Sequence, residues 1–360
     1  MANSRRFIVI ICALLLMIPG ASIDAQGTAG KTIRFSKKQL FINPHEGCTI
    51  ADINLDGNPD IISSPYIYYG PDFVPQAFRP NHLSSDYLSA NSDHVYDVDQ
   101  DGLPDIIIGT WQTEGIIWYK NPGNSAVERG TPWEMHEPWK ADTLTRTRGR
   151  MEMFAMHDYD GDGIPEFHSI CYATREPLEI WRFTKDAEGN PKLESFVLGE
   201  EGGGHGYAFG DVNGDGREDV LCEIGWYERP EGDPFAGPWT LHRETDLREF
   251  HPSCPFVVKD LTGDGRLDII FGRAHDYGLY WWEQQEPEED GTTTWKHHII
   301  DESWSQVHVL SMADLDNDGK EELITGKCIW AHNGRDPGAN DPVVVYYYSW
   351  DQSTKKFTRH

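Results

Sequence analysis

Six stretches of this chain set oxygen-bearing side chains at alternate positions of what must be a tight loop. The first carries Asp52, Asn54, Asp56, Gly57 and Asp60; the second Asp97, Asp99, Asp101, Gly102 and Asp105; the third Asp158, Asp160, Asp162, Gly163 and Glu166. The fourth carries Asp211, Asn213, Asp215, Gly216 and Asp219; the fifth Asp260, Thr262, Asp264, Gly265 and Asp268; the sixth Asp314, Asp316, Asp318, Gly319 and Glu322. Calcium is a hard cation that takes roughly six to eight oxygens, and side chains at loop positions 1, 3 and 5 converge on such an ion. The glycine at position 6 permits the sharp turn, and the acid at position 9 is expected to close the shell. Repetition in register makes several structural Ca2+ ions the expected cofactor. The competing reading is a set of acidic turns that bind nothing.

The elements that position these loops repeat with them. Where an EF-hand loop leads into a helix, these lead directly into apolar, strand-like runs such as Asp105-Ile106-Ile107-Ile108 and Asp268-Ile269-Ile270-Phe271. Short strands precede the loops, as at Tyr207-Ala208-Phe209 and Val309-Leu310-Ser311. Aromatic strands follow, as at Ile117-Trp118-Tyr119, Gly225-Trp226-Tyr227 and Tyr280-Trp281-Trp282. A last strand often pairs an aromatic residue with His, as at Trp239-Thr240-Leu241-His242. Loop starts lie 45, 61, 53, 49 and 54 residues apart, so each unit holds four strands, the content of one β-propeller blade. The expected fold is an all-β propeller over residues 26–360 with six recognisable four-stranded blades. Lys31–Phe41 reads as a further outer strand, which points to a seven-bladed design whose last blade is incomplete.

Bulk composition agrees. Aromatic residues make up 12% of 360, with 35 Gly and 22 Pro, which suits a turn-rich all-β chain. The formal net charge of −28 disfavours nucleic acid and anionic membranes as partners, and 21 of the 59 acidic residues sit in the six loops. Arg5 and Arg6 precede an apolar run from Phe7 to Ile18, so residues 1–25 read as a signal peptide and the protein as secreted or periplasmic. No later segment is apolar enough to span a membrane. Cys48, Cys171, Cys222, Cys254 and Cys328 remain after cleavage, an odd number with no metal-type spacing.

The repeats resemble the FG-GAP and VCBS repeats of integrin-type propellers across essentially the whole mature chain. Within that group, Trp304-Ser305-Gln306-Val307-His308, His275-Asp276-Tyr277-Gly278-Leu279-Tyr280-Trp281-Trp282 and Trp330-Ala331-His332-Asn333-Gly334 are more particular. They resemble secreted bacterial proteins similar to the propeller domain of aldos-2-ulose dehydratase, a family that dehydrates keto-sugars with the help of a metal ion. That resemblance implies a carbon–oxygen lyase and a carbohydrate or small keto-sugar as partner.

A second site is expected where the first strands of a propeller line its channel. Six residues before each loop stand Glu46, Asn91, Glu152, His205, Cys254 and His308, with His45, His94 and His251 nearby. Connections between second and third strands add Arg175, Arg273, His275, Asp276, Lys327, His332, Arg335 and Asp336. Glu152, His205 and His308 form a donor set for one Zn2+ or similar divalent ion. Such an ion would polarise a carbonyl while His251, His275 or His205 acts as the base, and Lys327 and Arg273 would stabilise an enolate. The alternative is a non-catalytic, integrin-like or lectin-like propeller that binds glycan or protein, since fold does not determine function. His136, His242, His297 and His298 read as surface or edge residues of outer strands. Trp111, Trp226 and Trp330 are candidates for stacking on sugar rings, though core packing is the stronger expectation for third-strand aromatics.

Overall fold

A computed structural model of the chain describes residues 33–40, 45, 47–80, 83–84, 87–88, 92–109, 116–123, 134–136, 151–171, 177–202, 204–253, 255–328 and 334–360. The residues fall into two compact units: Leu40–Asp211 with Asp215–Arg248, and Glu249–His360 with Val212–Gly214 and the described residues up to Gln39.

The larger unit holds four four-stranded antiparallel sheets. The first is β1 (Thr49–Ala51), β2 (Asp60–Ser63), β3 (Tyr66–Tyr69) and β4 (Val74–Ala77), followed by a two-stranded ribbon of β5 (Leu83–Ser84) and β6 (Tyr87–Leu88). The second is β7 (Ser92–Tyr96), β8 (Asp105–Gly109), β9 (Ile116–Lys120) and β10 (Glu134–His136); the third is β11 (Met151–His157), β12 (Glu166–Cys171), β13 (Leu178–Lys185) and β14 (Pro191–Gly199). The fourth is β15 (Tyr207–Gly210), β16 (Asp219–Cys222), β17 (Gly225–Glu228) and β18 (Thr240–His242). The smaller unit holds two such sheets: β19 (Val257–Lys259), β20 (Asp268–Gly272), β21 (Tyr277–Gln284), β22 (Trp295–Ser305), then β23 (Val307–Ala313), β24 (Glu322–Lys327), β25 (Val345–Asp351), β26 (Lys356–Arg359). These six sheets are the blades of a β-propeller, and the fold class is all-β as the repeat pattern expects.

The second strand of each blade explains why these segments pair as they do. Ile106, Ile107 and Ile108 are wholly buried, as are Ile269, Ile270 and Phe271. Strands apolar on both faces have to be covered on both, and complete burial of each such side chain is worth about 1.5–3 kcal/mol. In the larger unit the cover comes from neighbouring blades. Ile62, Ile67 and Phe78 of the first cluster with Ile106, Ile108 and Tyr119 of the second. Ile107 and Trp118 of the second cluster with Phe154, Phe167 and Trp181 of the third. Ile180 and Leu198 of the third pack with Val220, Tyr227 and Trp239 of the fourth. In the smaller unit Ile270 and Trp281 pack with Leu310, Leu323 and Tyr348. Every third-strand tryptophan from Trp118 to Trp282 is therefore a core residue. Trp226 is 2% exposed and stacks on His242, which removes it as a sugar platform, while Trp111 and Trp330 lie outside the described residues.

One expectation changes. Residues 33–40 make no strand; Arg34–Gln39 are exposed, and Phe35 leans on Tyr347 with ring centroids 6.0 Å apart. The fourth place in the sixth blade is taken by β26. His242 and His298 stand on the outer strands β18 and β22 as expected, where they stack at 4.1 Å on Trp226 and Trp281, and each bonds a carboxylate at 2.8 Å, Glu228 and Glu283. Among the described residues no helix is long and apolar enough to cross a membrane. The expected signal peptide lies outside them.

Candidate functional site

Each acidic loop is built the same way. The residue before the loop pairs across the hairpin with the ninth-position acid in all six blades: Ala51 with Asp60, Tyr96 with Asp105, His157 with Glu166, Gly210 with Asp219, Lys259 with Asp268 and Ala313 with Glu322. The first Asp accepts the N–H of the position-6 glycine at 2.8–3.0 Å in every loop. The fifth-position Asp accepts the N–H two residues on at 2.7–3.0 Å. The position-6 glycines have φ between +86° and +90°, and a Cβ there would meet nothing. Their requirement is thus backbone conformation and not space.

The ninth-position acid has a task that its place in the pattern does not reveal. It is buried in all six loops. One oxygen accepts the N–H of the second loop residue, as from Ile53, Val98, Tyr159, Leu261 and Leu315, at 2.9–3.2 Å. In four blades the other oxygen accepts an N–H at the end of the third strand, from Gly70, Asn121, Arg229 or Gln284. The acid clasps loop to sheet. Burial pushes the carboxyls of Asp105 and Asp268 up to about 6 and that of Glu166 to about 7.

Ligand atoms of Asp97, Asp99 and Asp101 lie within 4.8 Å of one another, as do those of Asp158, Asp160 and Glu166 and those of Asp314, Asp316 and Asp318. These donors are all carboxylate oxygens, the set that suits a hard divalent cation. The remaining expected ligands, Asp52, Asn54, Asp56, Asp162, Asp211, Asn213, Asp215, Asp260, Thr262 and Asp264, occupy the matching loop positions.

At the other end of the strands of the smaller unit the chain makes a different kind of site. Arg273 and His275 sit in the turn between β20 and β21, Gln306 between β22 and β23, and Lys327 at the end of β24. Gln306 is fully buried with φ +62°, an uncommon conformation for this residue. Its N–H donates to the Asp276 carbonyl at 2.9 Å, its own carbonyl accepts Cys328 N–H at 3.0 Å, and its side-chain Oε1 accepts Lys327 Nζ at 2.7 Å. Val307 N–H reaches the Arg273 carbonyl and Ala274 N–H the His251 carbonyl, so these segments are cross-linked through backbone. The Lys327 amine is buried, and desolvation pulls its pKa down. Arg273 Nη1 lies 3.2 Å from Asp276.

His308 in β23 meets His275 with ring centroids 5.1 Å apart. His275 Nδ1 lies 3.0 Å from Asp336 Oδ2. A carboxylate on one imidazole nitrogen holds the tautomer whose other nitrogen carries the lone pair, the arrangement found behind metal-ligating histidines. The structure thus joins His308 to His275, which was expected as a base. His205 belongs to the larger unit, where it is buried and donates its N–H to Glu223 Oε2 at 2.7 Å. The side chain of Glu152 lies outside the described residues, as do Glu46, Asn91, Arg175, Cys254 and His332. His45 and His94 are half-buried; His45 Nε2 lies 2.6 Å from the buried Asp93, and His94 Nε2 3.0 Å from the Phe154 carbonyl. Gln306 and Glu223 were not expected. The acid immediately after the buried run Asp219–Cys222 was the available signal for Glu223.

Residues 97–169, 158–222 and 260–325 match the FG-GAP-like repeat family. No curated protein matches the chain. Among solved structures it is similar to an Agrocybe aegerita lectin that recognises non-reducing terminal N-acetylglucosamine, at 19% identity and a TM-score of 0.48, covering 83% of this chain and 79% of that one. It is also similar to the V. cholerae biofilm matrix protein Bap1, at 18% identity and a TM-score of 0.37, over 77% of this chain and 41% of that one. The rhamnogalacturonan lyase YesW is similar at 13% identity and a TM-score of 0.41, over 94% of this chain and 67% of that one.

Proposed function

The chain belongs to the FG-GAP-like repeat family, and on that premise we propose that it is an exported propeller whose acidic loops hold calcium. We propose further that the strand ends around His275 and His308 take one divalent transition metal and act on a carbohydrate. The observation that carries the second part is the imidazole pair, 5.1 Å between centroids, with Asp336 on His275 and a buried amine on the same cluster of loops. Imidazole nitrogens suit zinc or a similar ion, whereas the all-oxygen loops suit calcium.

A keto-sugar is the substrate class that the resemblance implies, and a lyase step is the reaction. The metal, when bound, supplies a Lewis acid for the sugar's carbonyl oxygen. His251, at a positive φ of 45° on the segment joined to Arg273, is the proposed base for the proton beside that carbonyl. The electron pair left behind expels the β-hydroxyl, which departs as water after protonation. Lys327 and Arg273 stabilise the enolate's charge. The test is turnover of an anhydro-keto-sugar by wild type, His275→Ala and His308→Ala. Loss of turnover together with the transition metal supports the reading; unchanged turnover in both variants ends it.

A binding-only role has its own support. Lys327 Nζ already donates to Gln306 Oε1 and the Cys328 carbonyl, and Arg273 pairs with Asp276, so both cations are held by protein acceptors. Glycan retention without elimination products would favour it.

A further inference from the structure

Loops 2 and 3 carry acids at all four ligand positions, yet their surroundings differ in one residue. In the second blade the Lys120 ammonium, on the last residue of β9, sits on the carboxylate of Asp99 and lies 3.0 Å from that of Asp101. In the third blade no lysine or arginine among the described residues pairs with Asp158, Asp160 or Asp162.

Arg217 on Asp215 and Arg266 on Asp264 come from within their own loops; register shows why a third-strand cation reaches the loop of the second blade. Tyr119 pairs with Ile106, so Lys120 stands opposite Asp105, directly before the Asn121 N–H that clasps that acid. The matching residues are Tyr69, Arg182, Glu228, Glu283 and Ser349. Arg182 is drawn onto the Phe235 ring at 4.2 Å, and Glu228 and Glu283 bond His242 and His298. Lys120 is the cation at this position that turns into its own loop. It caps only part of the cluster: Asp99 Oδ1 is buried with no hydrogen-bond partner among the described residues. A buried, uncapped carboxylate oxygen is costly, and a divalent ion would satisfy it.

We infer that loop 2 is a gated calcium site, in which Lys120 is an intramolecular competitor that calcium must displace. This rests on the reading of the loops as calcium sites. Lys120 offers one charge and serves Asp99 Oδ2 and Asp101; calcium offers two and reaches Asp97, Asp99 Oδ1 and Asp101 together. Loop 2 therefore fills after loop 3 despite its equal number of acids, and filling it releases the ammonium to solvent. In calcium-poor conditions loop 2 stays neutralised from within, while loop 3 does not.

The test is a calcium titration of the full chain, stripped of metal, followed by calorimetry and by native mass spectrometry at limiting calcium. Lys120→Met keeps the apolar stem and removes the charge; Lys120→Arg keeps the charge. One weak site in the wild type should tighten roughly tenfold in Lys120→Met, the worth of about one charge-assisted bond, and stay weak in Lys120→Arg. At limiting calcium Lys120→Met should carry one ion more than the wild type. Isotherms unchanged in Lys120→Met while calcium still binds elsewhere would overturn the gate and leave the calcium reading standing. No calcium binding by either chain would overturn both.

Discussion

The two ends of the strands are built on opposite plans. At the acidic end each blade repeats one design down to the hydrogen bond: Asp to glycine N–H, Asp to the N–H two residues on, and a glycine near φ +90°. At the other end of the smaller unit no contact repeats; His275, Gln306, His308, Lys327 and Asp336 come from separate connections and meet once. The repeated end holds its own hairpins together. The singular end keeps a buried amine and a left-handed glutamine, features that cost stability.

Removing calcium tests the repeated end most severely. An ion bound only by the folded chain stabilises it by roughly 4 kcal/mol at a thousandfold excess over its Kd, and several loops should act together. Excess chelator is expected to lower the melting temperature by about 10 °C or more, read by circular dichroism. No shift would place the loops beside ordinary acidic turns. Next in size is the ninth-position clasp, which does not need the ion. Asp105→Ala leaves the N–H groups of Val98 and Asn121 without their acceptor. It should cost about 2–4 kcal/mol in urea unfolding, with and without chelator. Gly102→Ala forces a side chain to φ +89° and should cost about 1–2 kcal/mol.

The singular end should respond in the opposite sense. Burial lowers the Lys327 pKa in the folded chain, so the unfolded chain binds the extra proton between the folded and unfolded values. Stability therefore rises with pH through that window, up to the ordinary lysine value of about 10.5, and is penalised below it. Lys327→Met should gain about 1 kcal/mol at neutral pH and abolish the alkaline rise, while any turnover falls. A loss of stability at neutral pH would show that the amine's bonds to Gln306 and Cys328 outweigh its desolvation.

The same contrast explains what could be read from the sequence. A loop's acids lie within nine residues and recur six times, so type, spacing and following strand were all legible. That the ninth acid is buried was not, because an acid in a pattern looks alike whether it faces solvent or a backbone N–H. The singular site depends on which connections meet. Counting back from the loops grouped His308 with His205 and Glu152; it did not offer His275, the neighbour of His308 within the smaller unit, because that residue approaches from a turn and not from a first strand. His242 and His298 were legible as edge residues, but their partners were not, because Trp226 with Glu228 and Trp281 with Glu283 are supplied by an adjacent strand.

Metal content bears most directly on the claim that one end is made for calcium and the other for a single transition metal. The chain, purified without chelator or nickel, should carry several calcium ions and close to one zinc, manganese or iron by elemental mass spectrometry. His275→Ala and His308→Ala should each lose the transition metal and keep the calcium. A chain carrying no calcium, or one whose transition metal survives both substitutions, would contradict the account.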